Sequence, residues 1–179
     1  MRWASHGRRA LENTHPFSRT FRSRDVILAH NGTVDPVVAR AALKFRTVGD
    51  ADSEYLFCAL ITRLSEQRIR FTDHAQIEAV LREFNAFGHM NLLFSDSEHL
   101  FGYHDQDGYT GLCMTRRTAP FDRVSLRDED WQVDLAEEKR PDQKGYVVAT
   151  RRLTDDENWT GISPGSLVVF KDGECVYGA

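Results

Sequence analysis

An α+β fold is predicted for this chain of 179 residues. Two helical periodicities stand together in the first half, and the second half reads as short strands joined by turns. Helices and strands segregated in this way mark α+β rather than alternating βαβ units. The third observation is bulk composition. With 41% hydrophobic and 28% charged residues, the length suits one domain over 1–179 with a sizeable core.

Residues 1–24 are rich in Arg, Ser, His and Asn and show no clear period. Val26-Ile27-Leu28-Ala29 reads as a short apolar strand ending at Asn31-Gly32, a strong turn signal. Asp35-Pro36 opens a short helix through Leu43, with proline suited to the first helical position. Over 52–66, Leu56, Phe57, Leu60, Ile61 and Leu64 share one helical face. A second helix is expected over 74–87, with Asp73 and Gln76 in capping-box spacing and Ile77, Val80, Leu81 and Phe84 as its stripe.

Strands are then expected at 91–95, 100–104 and 109–115, separated by Asp96-Ser97-Glu98 and Asp105-Gln106-Asp107-Gly108. The charged stretch 128–144, which contains Pro141, reads as an exposed connection before a strand at 146–150. Strands at 166–170 and 174–177 flank Asp172-Gly173, a pair that tolerates the positive φ of a type I′ turn.

The net charge of −4, without a basic block, argues against nucleic acid or an anionic membrane as partner. No apolar run reaches membrane-spanning length, and the start is too polar for a signal peptide. Cys58, Cys113 and Cys175 lie far apart within apolar stretches, so buried, reduced thiols in a cytoplasmic protein are expected.

Three segments carry the chemistry: Arg2-Trp3-Ala4-Ser5-His6-Gly7, Ala29-His30-Asn31-Gly32-Thr33 and Gly49-Asp50-Ala51-Asp52-Ser53-Glu54. Arg2 offers a guanidinium fork for a carboxylate, and Ser5 a hydroxyl donor; the alternative is a frayed terminal arginine. An Asn31 side-chain amide and a Gly32 backbone N–H can point at one oxygen, as an oxyanion hole requires; the alternative is an ordinary Asn-Gly turn. Asp52 offers a carboxylate to a ligand's ammonium group; the alternative is that it, or Asp50, simply caps the helix. His6, His15 and His30 have no short metal-ligand spacing and read as structural, so no metal or cofactor is expected.

In this order the segments resemble the glutamine pocket of class II, N-terminal-nucleophile glutamine amidotransferases. Arg-Trp-Ala-Ser-His-Gly is similar to the family's Arg-Trp-Ala-Thr-His-Gly, and Ala51 stands where the family's Thr-Asp-Ser/Thr-Glu has threonine. Asn13-Thr14-His15-Pro16-Phe17, Asn91–Asp96, Thr115–Phe121 and Ala149–Gly165 are similar to small stand-alone members of the family, so the likeness covers nearly the whole chain.

The resemblance implies an N-terminal-nucleophile αββα sandwich and hydrolysis of a γ-glutamyl amide, with ammonia released for transfer. It assigns Arg2, Ser5 and Asp52 to the substrate, Asn31 and Gly32 to the oxyanion hole, and Trp3, His6 and His30 to support. Glutamine or another γ-glutamyl compound is the expected ligand, with a synthase or a second copy as partner.

The family's nucleophile is an N-terminal cysteine, whose free amine acts as base. Here Met1 precedes Arg2, and residue 1 aligns inside the family strand that carries Arg2. The fold is therefore expected to be incomplete at its N-terminus and the chain to lack its nucleophile. The other reading is a non-catalytic short form that binds glutamine or a protein.

Overall fold

The structure is a computed structural model that describes residues 10–35, 43–127 and 131–178. In chain order its elements are a short 3-10 helix Leu11–Asn13, β1 Phe17–Phe21, β2 Arg24–Val34, α1 Asp52–Glu66, α2 His74–Asn85, β3 Gly88–Ser95 and β4 Leu100–Tyr103. They continue with β5 Cys113–Thr118, β6 Arg123–Ser125, β7 Gln132–Asp134, α3 Leu135–Glu138, β8 Lys144–Ala149, β9 Thr160–Gly161, β10 Leu167–Lys171 and β11 Glu174–Tyr177.

A six-stranded antiparallel sheet runs in the order β1-β2-β3-β4-β10-β11, and a three-stranded sheet in the order β8-β5-β9. The apolar stripes of α1 and α2 lie on one face of the large sheet. Leu56, Leu60, Ile61, Ile77, Leu81 and Phe84 pack against Val26, Leu28, Met90, Phe94 and Phe101 in one core. Phe94 and Phe101 stack with ring centroids 4.4 Å apart. Each large side chain so buried contributes roughly 1.5–3 kcal/mol.

The small sheet covers the other face at the β4-β10-β11 end. There Leu100, Val168, Phe170 and Cys175 meet Leu112, Met114, Tyr146 and Val148 in a second cluster. The order helices, sheet, sheet is that of the expected sandwich, seen for three layers among the described residues.

Helix 52–66 is found as predicted, and the second helix ends two residues early, at Asn85. The Asp73–Gln76 capping box is not formed. Asp73 instead takes the backbone N–H and the guanidinium of Arg70, at 2.8 and 2.9 Å. The Asn31-Gly32 turn is also corrected: β2 runs straight through it, with Asn31 opposite Asn91 and Gly32 opposite Met90. Their partners lie 60 and 58 positions away in sequence, so local turn chemistry could not reveal the pairing.

The strand expected at 109–115 begins at Cys113, because Thr110 and Gly111 adopt positive φ in a tight loop. The connection 128–144 contains β7 and α3. Asp172 and Gly173 have φ of 50° and 75°, as a type I′ turn demands. The helix expected from Pro36 lies outside the described residues, apart from its last position.

Candidate functional site

Arg2, Trp3, Ser5 and His6 lie outside the described residues. Of the remaining sequence-predicted residues, His30 and Asp52 come together through Ser53 where the end of β2 faces the start of α1, with Gly32 against His30; Asn31 does not join them. Alternation along β2 turns Val26, Leu28, His30 and Val34 toward the helices. Asn31 is exposed on the opposite face and Gly32 is half-buried.

Among the described residues, two hydrogen bonds tie β2 to α1. The Val34 backbone N–H donates to Oδ2 of Asp52 at 2.9 Å. Four residues earlier on β2, Nδ1 of His30 lies 2.9 Å from Oγ of Ser53. His30 is 6% exposed and Ser53 3%. The other ring nitrogen, Nε2, lies 3.0 Å from the carbonyl oxygen of His89 on β3. Neither Asp52 nor Asp50 caps α1: the N-cap residue is Ala51, and Asp50 instead receives the Asn13 side-chain amide at 2.5 Å.

Gly32 has a steric reason. A Cβ there would overlap the His89 carbonyl oxygen and sit 2.7 Å from Nε2 of His30. The backbone at Gly32 therefore rests on the His30–His89 hydrogen bond. The Asn31 side chain is not brought to Asp52. Its amide lies across the strand, 3.4 Å from Oγ1 of Thr110.

The loop that carries Thr110 is held from below. Asn91 donates to the Tyr109 carbonyl at 2.7 Å and to Thr110 Oγ1 at 3.0 Å, and its own oxygen accepts the Asp105 backbone N–H at 3.0 Å. Asp105 is fully buried and accepts from the Asn85 amide and from the backbones of Met90, Asp107 and Tyr109. Burial alone would raise its pKa; the N–H donors of Asn85, Met90, Tyr109 and Asp107 outweigh that and hold the carboxyl below its ordinary range.

His89, Asp105 and Asp107 have potential ligand atoms within 4.8 Å of one another. Both Asp105 oxygens are already committed to N–H donors, so a cation there would have to displace them.

Sequence reading missed four of these groups. Ser53 stood inside a quoted motif, yet its link to His30 is tertiary. Glu54 is 1% exposed; it pairs with Arg19 and accepts the backbone N–H groups of Val48 and Gly49, at 2.9 and 2.8 Å, which shapes the approach to α1. Asn91 and Asp105 lay in a strand and a turn signal with no local sign of their roles.

None of the cysteines is disulfide-bonded; Cys58 and Cys113 are buried, and Cys175 is half-buried rather than buried. Burial pushes the Cys58 and Cys113 thiols up, which disfavours the nucleophilic thiolate. Among the described residues no helix is long and apolar enough to cross a membrane.

The family described as class-II glutamine amidotransferases matches residues 1–179. An uncharacterized protein of Methanocaldococcus jannaschii is 36% identical over 179 residues, covering 99% of this chain and 50% of that protein. The chain thus spans about half the length of this relative. The 2.0 Å crystal structure of a predicted glutamine amidotransferase from Pseudomonas aeruginosa superposes with a TM-score of 0.74 at 34% identity, over 93% of this chain and 66% of that one.

The glutamine phosphoribosylpyrophosphate amidotransferase of B. subtilis shares the fold, with a TM-score of 0.57 at 15% identity, over 97% of this chain and 32% of that one. The fold is therefore of the N-terminal-nucleophile amidotransferase type, and the chain belongs to the class II glutamine amidotransferase family.

Proposed function

We propose that these residues form the glutamine-binding part of an amidotransferase and bind the glutamyl end of a γ-glutamyl amide without turning it over by themselves. The observation that carries this reading is the double tie of β2 to α1, Val34 to Asp52 and His30 to Ser53, beside Asn31 and Gly32. It sets a carboxylate for an ammonium group next to the strand that bears the amide donors.

In this reading Asp52 pairs with the α-ammonium, and Arg2 and Ser5 take the α-carboxylate. Asn31 Nδ2 and the Gly32 N–H receive the oxyanion that forms when the side-chain carbonyl is attacked. Trp3, His6 and His30 support the pocket. Hydrolysis joins water to the amide carbon and breaks the C–N bond, releasing glutamate and ammonia or an amine.

None of the three cysteines is placed to supply the attacking thiolate. Cys58 is sealed in the α1 core, and Cys113 and Cys175 lie in β5 and β11. Complete turnover would need a nucleophile supplied from outside these residues. One domain over 1–179 and a synthase or a second copy as partner belong to the same proposal.

Isothermal titration of the purified chain with L-glutamine tests the reading. Saturable binding of L-glutamine, absent for L-asparagine and lost in Asp52→Ala, is expected, with no ammonia released. Lack of saturable binding by the folded chain overturns it.

A further inference from the structure

The site holds a hydroxyl whose single proton has two claimants. Ser53 Oγ lies 2.9 Å from Nδ1 of His30 and 3.3 Å from Oδ1 of Asp52. A serine hydroxyl can donate only once.

The far side of the His30 ring resolves the contest. Nε2 lies 3.0 Å from the carbonyl oxygen of His89, which can only accept, so Nε2 carries the hydrogen. In the neutral ring Nδ1 is then an acceptor, and the Ser53 proton turns to it. Oγ is left with its lone pairs on the Asp52 side. Asp52 in turn has Oδ2 occupied by the Val34 N–H and Oδ1 free of that proton.

We propose that Ser53 Oγ and Asp52 Oδ1 together form a two-acceptor seat for the ligand's α-ammonium, and that His30 is the positioning residue that keeps the Ser53 proton out of it. An ammonium has three donors and no acceptor, so it is complementary to a carboxylate oxygen beside a hydroxyl oxygen that is not donating. Gly32 ties this to the amide end, because its backbone rests on the His30–His89 bond that sets the ring. The inference rests on the glutamine-binding reading given above and adds Ser53 and His30 to the ammonium grip.

Two measurements test it. The first is the His30 tautomer by 15N-resolved NMR of the imidazole in the unliganded chain. The Nε2–H form is expected, and the Nδ1–H form overturns the proposal. The second compares L-glutamine with glutaramate, which lacks the α-amino group, by NMR titration of the full chain and of the variants Ser53→Ala, Ser53→Thr and Asp52→Asn.

Ser53→Ala is expected to lower the preference for glutamine by about tenfold, the scale of one lost hydrogen bond to a charged group. Ser53→Thr, which keeps the hydroxyl, should retain the preference. A merely structural role for Ser53 would weaken both ligands alike. Preference unchanged in Ser53→Ala but lost in Asp52→Asn sinks the proposal and leaves the glutamine reading standing. Preference unchanged in Asp52→Asn sinks the reading itself.

Discussion

The Val34 backbone N–H donates to Oδ2 of Asp52 at 2.9 Å and so ties the last residue of β2 to the first residue of α1. The tie and the charge of Asp52 are separable. Asp52→Asn keeps an oxygen for Val34 and loses the charge, whereas Asp52→Ala loses both. Asp52→Ala is expected to unfold about 1 kcal/mol more easily than Asp52→Asn, the net worth of one hydrogen bond. Parallel urea melts check this; equal midpoints would show that the Val34 contact adds nothing.

Asn31 should matter for turnover and not for binding. An oxyanion-hole donor acts where charge develops, so its loss affects the transition state more than the ground state. Asn31→Ala is expected to bind L-glutamine within about twofold of the wild type, where Asp52→Ala loses binding. A tenfold loss of affinity in Asn31→Ala, read by calorimetry, would move Asn31 from the oxyanion to the substrate grip.

Gly32→Ala should destabilise strongly. The added methyl has no room between the His89 carbonyl and His30 Nε2, and both neighbours belong to the β2–β3 ladder. Forcing them apart should cost about 2–4 kcal/mol, on the scale of strained or broken backbone contacts. A thermal unfolding midpoint close to the wild type would contradict this.

Asp105 should couple stability to acid. Its folded pKa is lowered from 3.8, so its contribution is complete above that value and is lost as pH falls through the lower folded value. Asp105→Asn places an amide N–H₂ among N–H donors. It is expected to cost about 3 kcal/mol at neutral pH and to flatten the stability profile below pH 4. Denaturant melts from pH 7 to pH 2 read both effects, and an unchanged acid limb in the variant would refute them.

The thiols should differ in reactivity. Native alkylation by iodoacetamide, mapped by mass spectrometry, is expected to label Cys175 first and to spare Cys58, which is fully buried with its thiol pKa raised. Early labelling of Cys58 would mean that α1 opens more readily than its packing implies.

Much of this was legible in the order of residues alone. The five apolar positions from Leu56 to Leu64 announced α1, because helical spacing forces them onto one buried face. Asp172-Gly173 announced its hairpin, because few residue pairs tolerate two positive φ angles. The pocket segments named the family, since three motifs in order are far rarer than any one of them.

The reading failed where a residue's partner is remote. Asn31-Gly32 looked like a turn by its own chemistry, and only the pairing with β3 makes it strand. Asp105 looked like a turn residue, and the remote donors from Asn85 and Met90, which join those of its own turn on a buried carboxylate, are not visible in the local sequence.

The sequence by itself determined α1 and α2, the hairpin turn and the family, because periodicity, turn chemistry and motif order are properties of near neighbours along the chain. The tertiary structure alone decided that Ser53 Oγ lies between His30 and Asp52, 2.9 Å from one and 3.3 Å from the other, and that Gly32 has no room for a side chain. Those facts depend on β2, β3 and α1 meeting in space, and hydrogen bonding and steric exclusion act over a few ångströms whatever the separation in sequence.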